Sequence, residues 1–126
     1  MSDPDRCPCG LPARYDDCCG RFHRGADAPT AELLMRSRYS AFAVGDAAHL
    51  ERTWDPRTRP RRIRLGPDRT WTGLEVIATS GGGLLDATGT VEFRAHHRDA
   101  DGDHVLHEVS EFVRHEGRWA YVAAVG

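Results

Sequence analysis

The chain contains no lysine, no asparagine and no glutamine. Its 17 basic residues are all arginine, set against 19 acidic ones for a formal net charge of -2. That balance excludes a global basic field drawing the protein to nucleic acid or anionic lipid; any such contact has to be local. The missing residue types point to the codon bias of a GC-rich genome, so an arginine here is not by itself a sign of phosphate chemistry. Long apolar runs are absent too. Nothing reaches the length of a membrane span or of a signal-peptide core, and the expectation is a soluble, cytoplasmic protein with no membrane partner. At 126 residues there is room for one ordinary domain and a small appendage.

Cysteine is absent everywhere except between Cys7 and Cys19, and there the chain has all 4. Cys7 and Cys9 stand one residue apart, an eight-residue loop follows, and Cys18 and Cys19 are adjacent. Four soft ligands on so short a tether can close on one ion. Zinc suits them, because a d10 cation accepts the tetrahedron a short loop offers and binds thiolate at about 2.3 Å. Crowding argues against idle thiols, and disulfides need an oxidising compartment of which the sequence has no sign. His23 is an alternative to Cys19 as the fourth ligand, although Cys19 has the shorter tether. The spacing resembles the SEC-C motif, a small zinc-binding module known from the C-terminus of the preprotein translocase SecA. By position that resemblance makes Cys7, Cys9, Cys18 and Cys19 the ligands. Where the motif often runs Gly-Ser-Gly, Gly10 is here followed by Leu11, Pro12 and Ala13.

Beyond the knuckle, residues 21–29 carry Gly25 and Pro29 and read as a linker. A helix should then start at Pro29 or Thr30, with Glu32 at its positive end, and stop at Gly45. On a helical wheel Ala31, Leu34, Met35, Arg38 and Phe42 share a face, with Tyr39 at its edge. Arg38 thus falls inside an apolar stripe, where a charge is either paired within the fold or lines a cavity. Asp46 can cap a second, shorter helix running through Ala47, Leu50 and Trp54, ended by Asp55-Pro56. The Arg57–Arg64 stretch holds five arginines in eight residues, with no interleaved aromatic to stack a base.

From Trp71 the apolar period changes to two. Strands are expected over 71–78, 88–98 and 104–114 and through Trp119, Tyr121 and Val122, with Ser80-Gly-Gly-Gly83 as a flexible turn. That triple glycine lacks the lysine and Ser/Thr of a phosphate loop. Asp99, Asp101 and Asp103 resemble a calcium loop only superficially, since His104 and Ser110 occupy the positions of its glycine and final glutamate; an Asp-Gly hairpin explains them better. Two helices followed by about four antiparallel strands make an α+β fold.

Residues 34–42 (LMRSRYSAF), 53–60 (TWDPRTRP), 90–95 (TVEFRA), the Glu108-x-Ser110-x-Phe112 strand and residues 117–122 (GRWAYV), behind a cysteine knuckle, closely resemble the YchJ family of bacterial proteins. The resemblance runs nearly end to end. It implies a SEC-C knuckle over 1–24 and, over 25–126, a nuclear transport factor 2-like domain: a cone of curved antiparallel sheet packed around a long N-terminal helix. The family is itself largely uncharacterised. Asp55 stands where the family more often has histidine, and Ala123-Ala124 replace its usual Asp-Gly ending.

Three functions are consistent with this pattern. The leading one is a non-catalytic zinc-binding protein, a protein-interaction or adaptor module with the cone as scaffold, because four protein ligands leave zinc no open position for substrate. An alternative is a small-molecule binder or an isomerase/dehydratase-like enzyme whose cavity is lined by Arg38, Tyr39, Trp54 and His97. His96, His104, His107, Glu108 and Glu111 complete its acid/base candidates, with His97 expected on the inner face; no residue is assigned as catalytic. The third is RNA or ribosome binding through the knuckle and Arg57–Arg64. Domains that resemble this cone often pair through the outer sheet face, so a homodimer is also an open expectation.

Overall fold

The structure, a computed structural model, describes residues 6–63, 65–66 and 68–125. Of the arginine run, Arg64 lies outside the described residues.

Behind a short 3-10 turn at Tyr15–Asp17 come helices α1 (Cys19–His23), α2 (Ala31–Val44) and α3 (Ala47–Arg52), then strands β1 (Thr70–Gly81), β2 (Thr88–Asp99), β3 (Gly102–His115) and β4 (Arg118–Ala124). The helix boundaries follow capping chemistry. The Thr30 side chain accepts from the Leu33 amide at 3.2 Å, Gly45 ends α2 in the left-handed region at φ 83°, and Asp46 accepts from the His49 amide at 3.0 Å. Trp54 departs from expectation: α3 stops at Arg52, and Trp54 forms a parallel bridge to Tyr121. The backbone is diverted because Tyr121 donates its amide to the Thr53 carbonyl and accepts from the Asp55 amide, both at 2.8 Å.

The strands form one antiparallel meander in the order β1-β2-β3-β4. Register shifts at Trp71/Gly73 and Val76/Ala78 in β1, and at Val122 of β4 opposite Glu111/Phe112, mark the irregularities that curl the sheet. Its inner face carries Val91, Phe93, Ala95, Phe112 and Trp119, which pack on Leu34, Met35 and Tyr39 of α2. The buried band of α2 is wider than an apolar stripe, because Ser37 and Ser40 are buried as well. The knuckle explains this: it covers the helix face that the sheet leaves open.

Two glycines set the distance between the sheet and the start of α2. A Cβ on Gly89 would lie 2.5 Å from the Gly82 Cα, and one on Gly82, where φ is +76°, would lie 2.8 Å from the Ala31 Cβ. The Gly82 carbonyl accepts from the Ala31 amide at 2.9 Å. The glycine run, expected as a flexible turn, is a tight junction between the β1–β2 loop and the helix.

Candidate metal centre and cone cavity

Cys7, Cys9, Cys18 and Cys19 are all buried, and their sulfurs lie within 4.8 Å of one another. None is in a disulfide. A tetrahedron with zinc–sulfur bonds of about 2.3 Å has sulfur–sulfur edges of about 3.8 Å; the Cys9 and Cys18 sulfurs are 3.7 Å apart. The electrostatics agree. Hydrogen bonds from Cys19 and Cys9 push the Cys7 thiol down, and Cys7 in turn pushes Cys19 up, so without a cation one thiolate forbids the others. The donor set therefore fits a closed metal site of four thiolates.

His23 is committed elsewhere. Its Nε2–H donates to the Ser37 carbonyl at 2.8 Å, and Nδ1 accepts from the Tyr15 hydroxyl. Nε2 thus ties the knuckle to α2, and Nδ1 closes a bond within the knuckle itself. The same surface is tied down by Arg36, which donates to the Cys9 carbonyl at 2.8 Å, by a 3.6 Å contact between the Cys7 sulfur and the Ser40 hydroxyl, and by Leu74 of β1 packed on the cysteine cluster. Among the described residues no other group of histidine, cysteine and carboxylate atoms is close enough to hold a metal.

The cone encloses a cavity of about 220 Å³ between α2 and the inner sheet face. Its walls are Tyr39, Phe42, Trp71, Phe93, Leu106 and Phe112, with Arg38 clustered against Trp54 and Tyr121. Arg38 is 6 % exposed. It donates to the Leu50 carbonyl at 3.0 Å and the Thr53 hydroxyl at 2.7 Å, and its guanidinium stacks 5.0 Å from the Trp54 ring and 4.5 Å from the Tyr121 ring. Among the described residues no carboxylate reaches it. Burial pushes its pKa down to about 9, the mark of a cation short of counter-charge.

Glu108 lines the same cavity. It is half-buried, burial pushes its carboxyl up, and the Ser110 hydroxyl beside it partly offsets that shift. Its place was readable: Leu106, Glu108, Ser110 and Phe112 share one face of β3 by strand alternation, so the glutamate interrupts an inward row. Arg69, also on the cavity wall, stacks 5.4 Å from the Trp71 ring.

Of the four residues expected in the cavity, Arg38, Tyr39 and Trp54 line it and His97 does not. His97 is buried behind Trp71, 5.2 Å from its ring, and stacks on His104 at 5.2 Å. The two aromatic rings flanking it displace it from the interior. His107 pairs with Glu92 at 2.7 Å, His96 with Glu75 at 2.6 Å and His104 with Asp99 at 2.9 Å, all outside the cavity; Glu111 does not line it either. In the arginine run, Arg57 grips the carboxylate of Asp55 at 2.6 Å and Arg59 donates to the Glu51 carbonyl at 3.1 Å, so both have internal work. No helix is long and apolar enough to cross a membrane among the described residues.

Comparison with known proteins agrees with this architecture. The family model of the YchJ middle NTF2-like domain matches residues 30–124. A UPF0225 protein of Streptomyces coelicolor is 56 % identical over 91 % of this chain and 90 % of its own, and one of Corynebacterium efficiens is 51 % identical over 92 % and 89 %. The solution structure of a SEC-C motif containing protein from Rhodopseudomonas palustris superposes with a TM-score of 0.82 at 34 % identity, covering 95 % of this chain and 97 % of that one. A SEC-C motif containing protein from Psychrobacter arcticus gives 0.78 at 30 % identity, covering 93 % and 80 %. This chain therefore belongs to the YchJ/UPF0225 family, with an NTF2-like cone behind a cysteine knuckle suited to a metal.

Proposed function

We propose that this protein is a zinc-stapled binder of a small organic anion, the ion held by Cys7, Cys9, Cys18 and Cys19 and the anion by Arg38 inside the cone. The observation that carries the reading is the unpaired Arg38. An arginine with no counter-charge in an apolar interior is costly, and the cost is offset when a carboxylate or similar group arrives. Among the described residues three of its five donors have no hydrogen-bond partner. The walls are aromatic and the space is smaller than the roughly 300 Å³ at the lower end for drug-sized ligands, which favours a compact ligand with an apolar body.

The knuckle's part is structural on this reading. Four thiolates leave the ion no open position, and Arg36, Ser40, His23 and Leu74 use the knuckle's inner surface to hold it on the cone. That weighs against an adaptor whose knuckle is free to dock, and the internal engagement of Arg57 and Arg59 weighs against an RNA surface there. A cytoplasmic location belongs to the reading, because thiolates stay available for zinc in a reducing compartment.

The test is calorimetric titration of the zinc-loaded protein with benzoate, 3-phenylpropionate and inorganic phosphate, alongside an Arg38→Met variant. An aromatic carboxylate should bind the native protein and lose at least about tenfold in affinity to the variant. No binding by any of the three, or equal binding to both proteins, would sink the reading.

A further inference from the structure

The cavity has a second pole. Glu108 and Arg38 both face it, yet they are not an ion pair: Arg38 bonds Leu50 and Thr53, and Glu108 has only the Ser110 hydroxyl beside it. Among the described residues no cation pairs with Glu108. The Tyr121 ring stacks under Arg38 at 4.5 Å, while its phenol feels both charges, so the two poles approach the same side chain without reaching each other. Strand alternation puts Glu108 in the inward row of β3, opposite Phe93 of β2, between Leu106 and Ser110. A carboxylate placed there without a cationic partner is costly.

An anion alone compensates one pole. It leaves Glu108 half-buried and unpartnered, and adds a second negative charge to the same small space. A ligand with a positive group at its other end satisfies both. We propose that the ligand is a small amino-carboxylate, its carboxylate on Arg38, its ammonium on Glu108 and an apolar body against Phe93 and Phe112. This rests on the anion-binding reading of Arg38 and adds to it a requirement that only Glu108 imposes.

The test separates the two poles with isosteric ligands. Affinities would be measured by calorimetry near pH 7 for 4-methylbenzoate, 4-(hydroxymethyl)benzoate and 4-(aminomethyl)benzoate, and for the shorter pair 3-phenylpropionate and phenylalanine. In at least one series the ammonium compound should bind about tenfold or more tighter than its methyl or unsubstituted analogue, since a charge-assisted bond to a half-buried carboxylate contributes at least that factor. Glu108→Gln should erase the advantage, with the analogue without nitrogen binding the variant at least as tightly as the wild type, because the variant lifts the repulsion between two negative charges. An ammonium that adds nothing in either series overturns the proposal and leaves the anion site standing, as does an advantage that survives Glu108→Gln. A hydroxymethyl compound that binds as tightly as the aminomethyl one overturns it too, assigning Glu108 to a neutral hydroxyl. If no carboxylate of the panel binds, the anion site fails and this proposal fails with it.

Discussion

The Arg36 guanidinium donates to the carbonyl of Cys9 at 2.8 Å and to the carboxylate of Glu32, one helical turn away, at 3.0 Å. One side chain thus belongs to the knuckle loop and to the central helix of the cone, and the Cys7–Ser40 contact lies one turn further along. The two parts should melt together. Stripping zinc with a strong chelator is expected to lower the melting temperature of the whole chain by about 10 °C or more, in one transition seen equally by far-ultraviolet and tryptophan signals. Arg36→Ala should cost about 1–3 kcal/mol while leaving about one zinc per chain by elemental analysis. A cone that melts unchanged after chelation would show two independent units.

The glycines of the β1–β2 junction differ sharply in what they can bear. Gly89→Ala drives a methyl to 2.5 Å from the Gly82 backbone, whereas at Gly83 the nearest atom is a side-chain oxygen of Asp86 at 3.1 Å. Gly89→Ala and Gly82→Ala should each cost about 2 kcal/mol or more, and Gly83→Ala less than about 1 kcal/mol, read from urea midpoints. Equal effects at the three positions would mean the junction is not close-packed.

These contrasts mark what the sequence could tell. The start of α2, its end and the start of α3 were readable because Thr30 and Asp46 accept from amides three residues on, and Gly45 donates to a carbonyl four residues back. The cysteine cluster was readable because its tether is short. Trp54 was misplaced, since what draws it out of helix is Tyr121 on the last strand. His97 obeyed its strand alternation but met Trp71 and His104 first, and the bulges of β1 follow no local signal. Glu108 was named as an acid/base candidate yet not put into the cavity, although the inward row of β3 contained the hint. That no carboxylate among the described residues pairs with Arg38 is a property of all the surrounding elements at once, and no local pattern reports it.

Arg38 offers a test of whether a residue is kept for binding or for folding. A structural arginine stripped from its partners costs about 3–5 kcal/mol. Arg38 has two hydrogen bonds and two aromatic faces to lose, but also an uncompensated charge to shed. Arg38→Met is therefore expected to fall within about 1 kcal/mol of the wild type or to exceed it, measured by urea denaturation without ligand. A loss beyond about 3 kcal/mol would make the arginine a keystone of the fold instead.

His49 makes the stability depend on pH. It is 1 % exposed, its Nε2–H donates to the Ser37 hydroxyl at 2.9 Å, and Nδ1 accepts from Arg52 at 3.3 Å. Burial first, then His23, Arg52 and Arg38, push its pKa from 6.5 down to about 3, with Asp46 alone opposing them. Between those values the unfolded chain binds a proton that the folded chain refuses. Stability is thus fully present above about pH 6.5 and declines as the pH falls toward 3, by up to about 1.4 kcal/mol per unit from this one group. His49→Gln keeps a donor for Ser37 and removes the titration. It should be less stable than the wild type at pH 7 by about 1–2 kcal/mol, yet lose less on going from pH 6.5 to 5. Urea curves at pH 7, 6 and 5 with excess zinc provide the comparison, since protonation of the cysteines acts on both proteins alike. Parallel pH profiles would refute the assignment and leave the acid sensitivity to the thiolates of the knuckle.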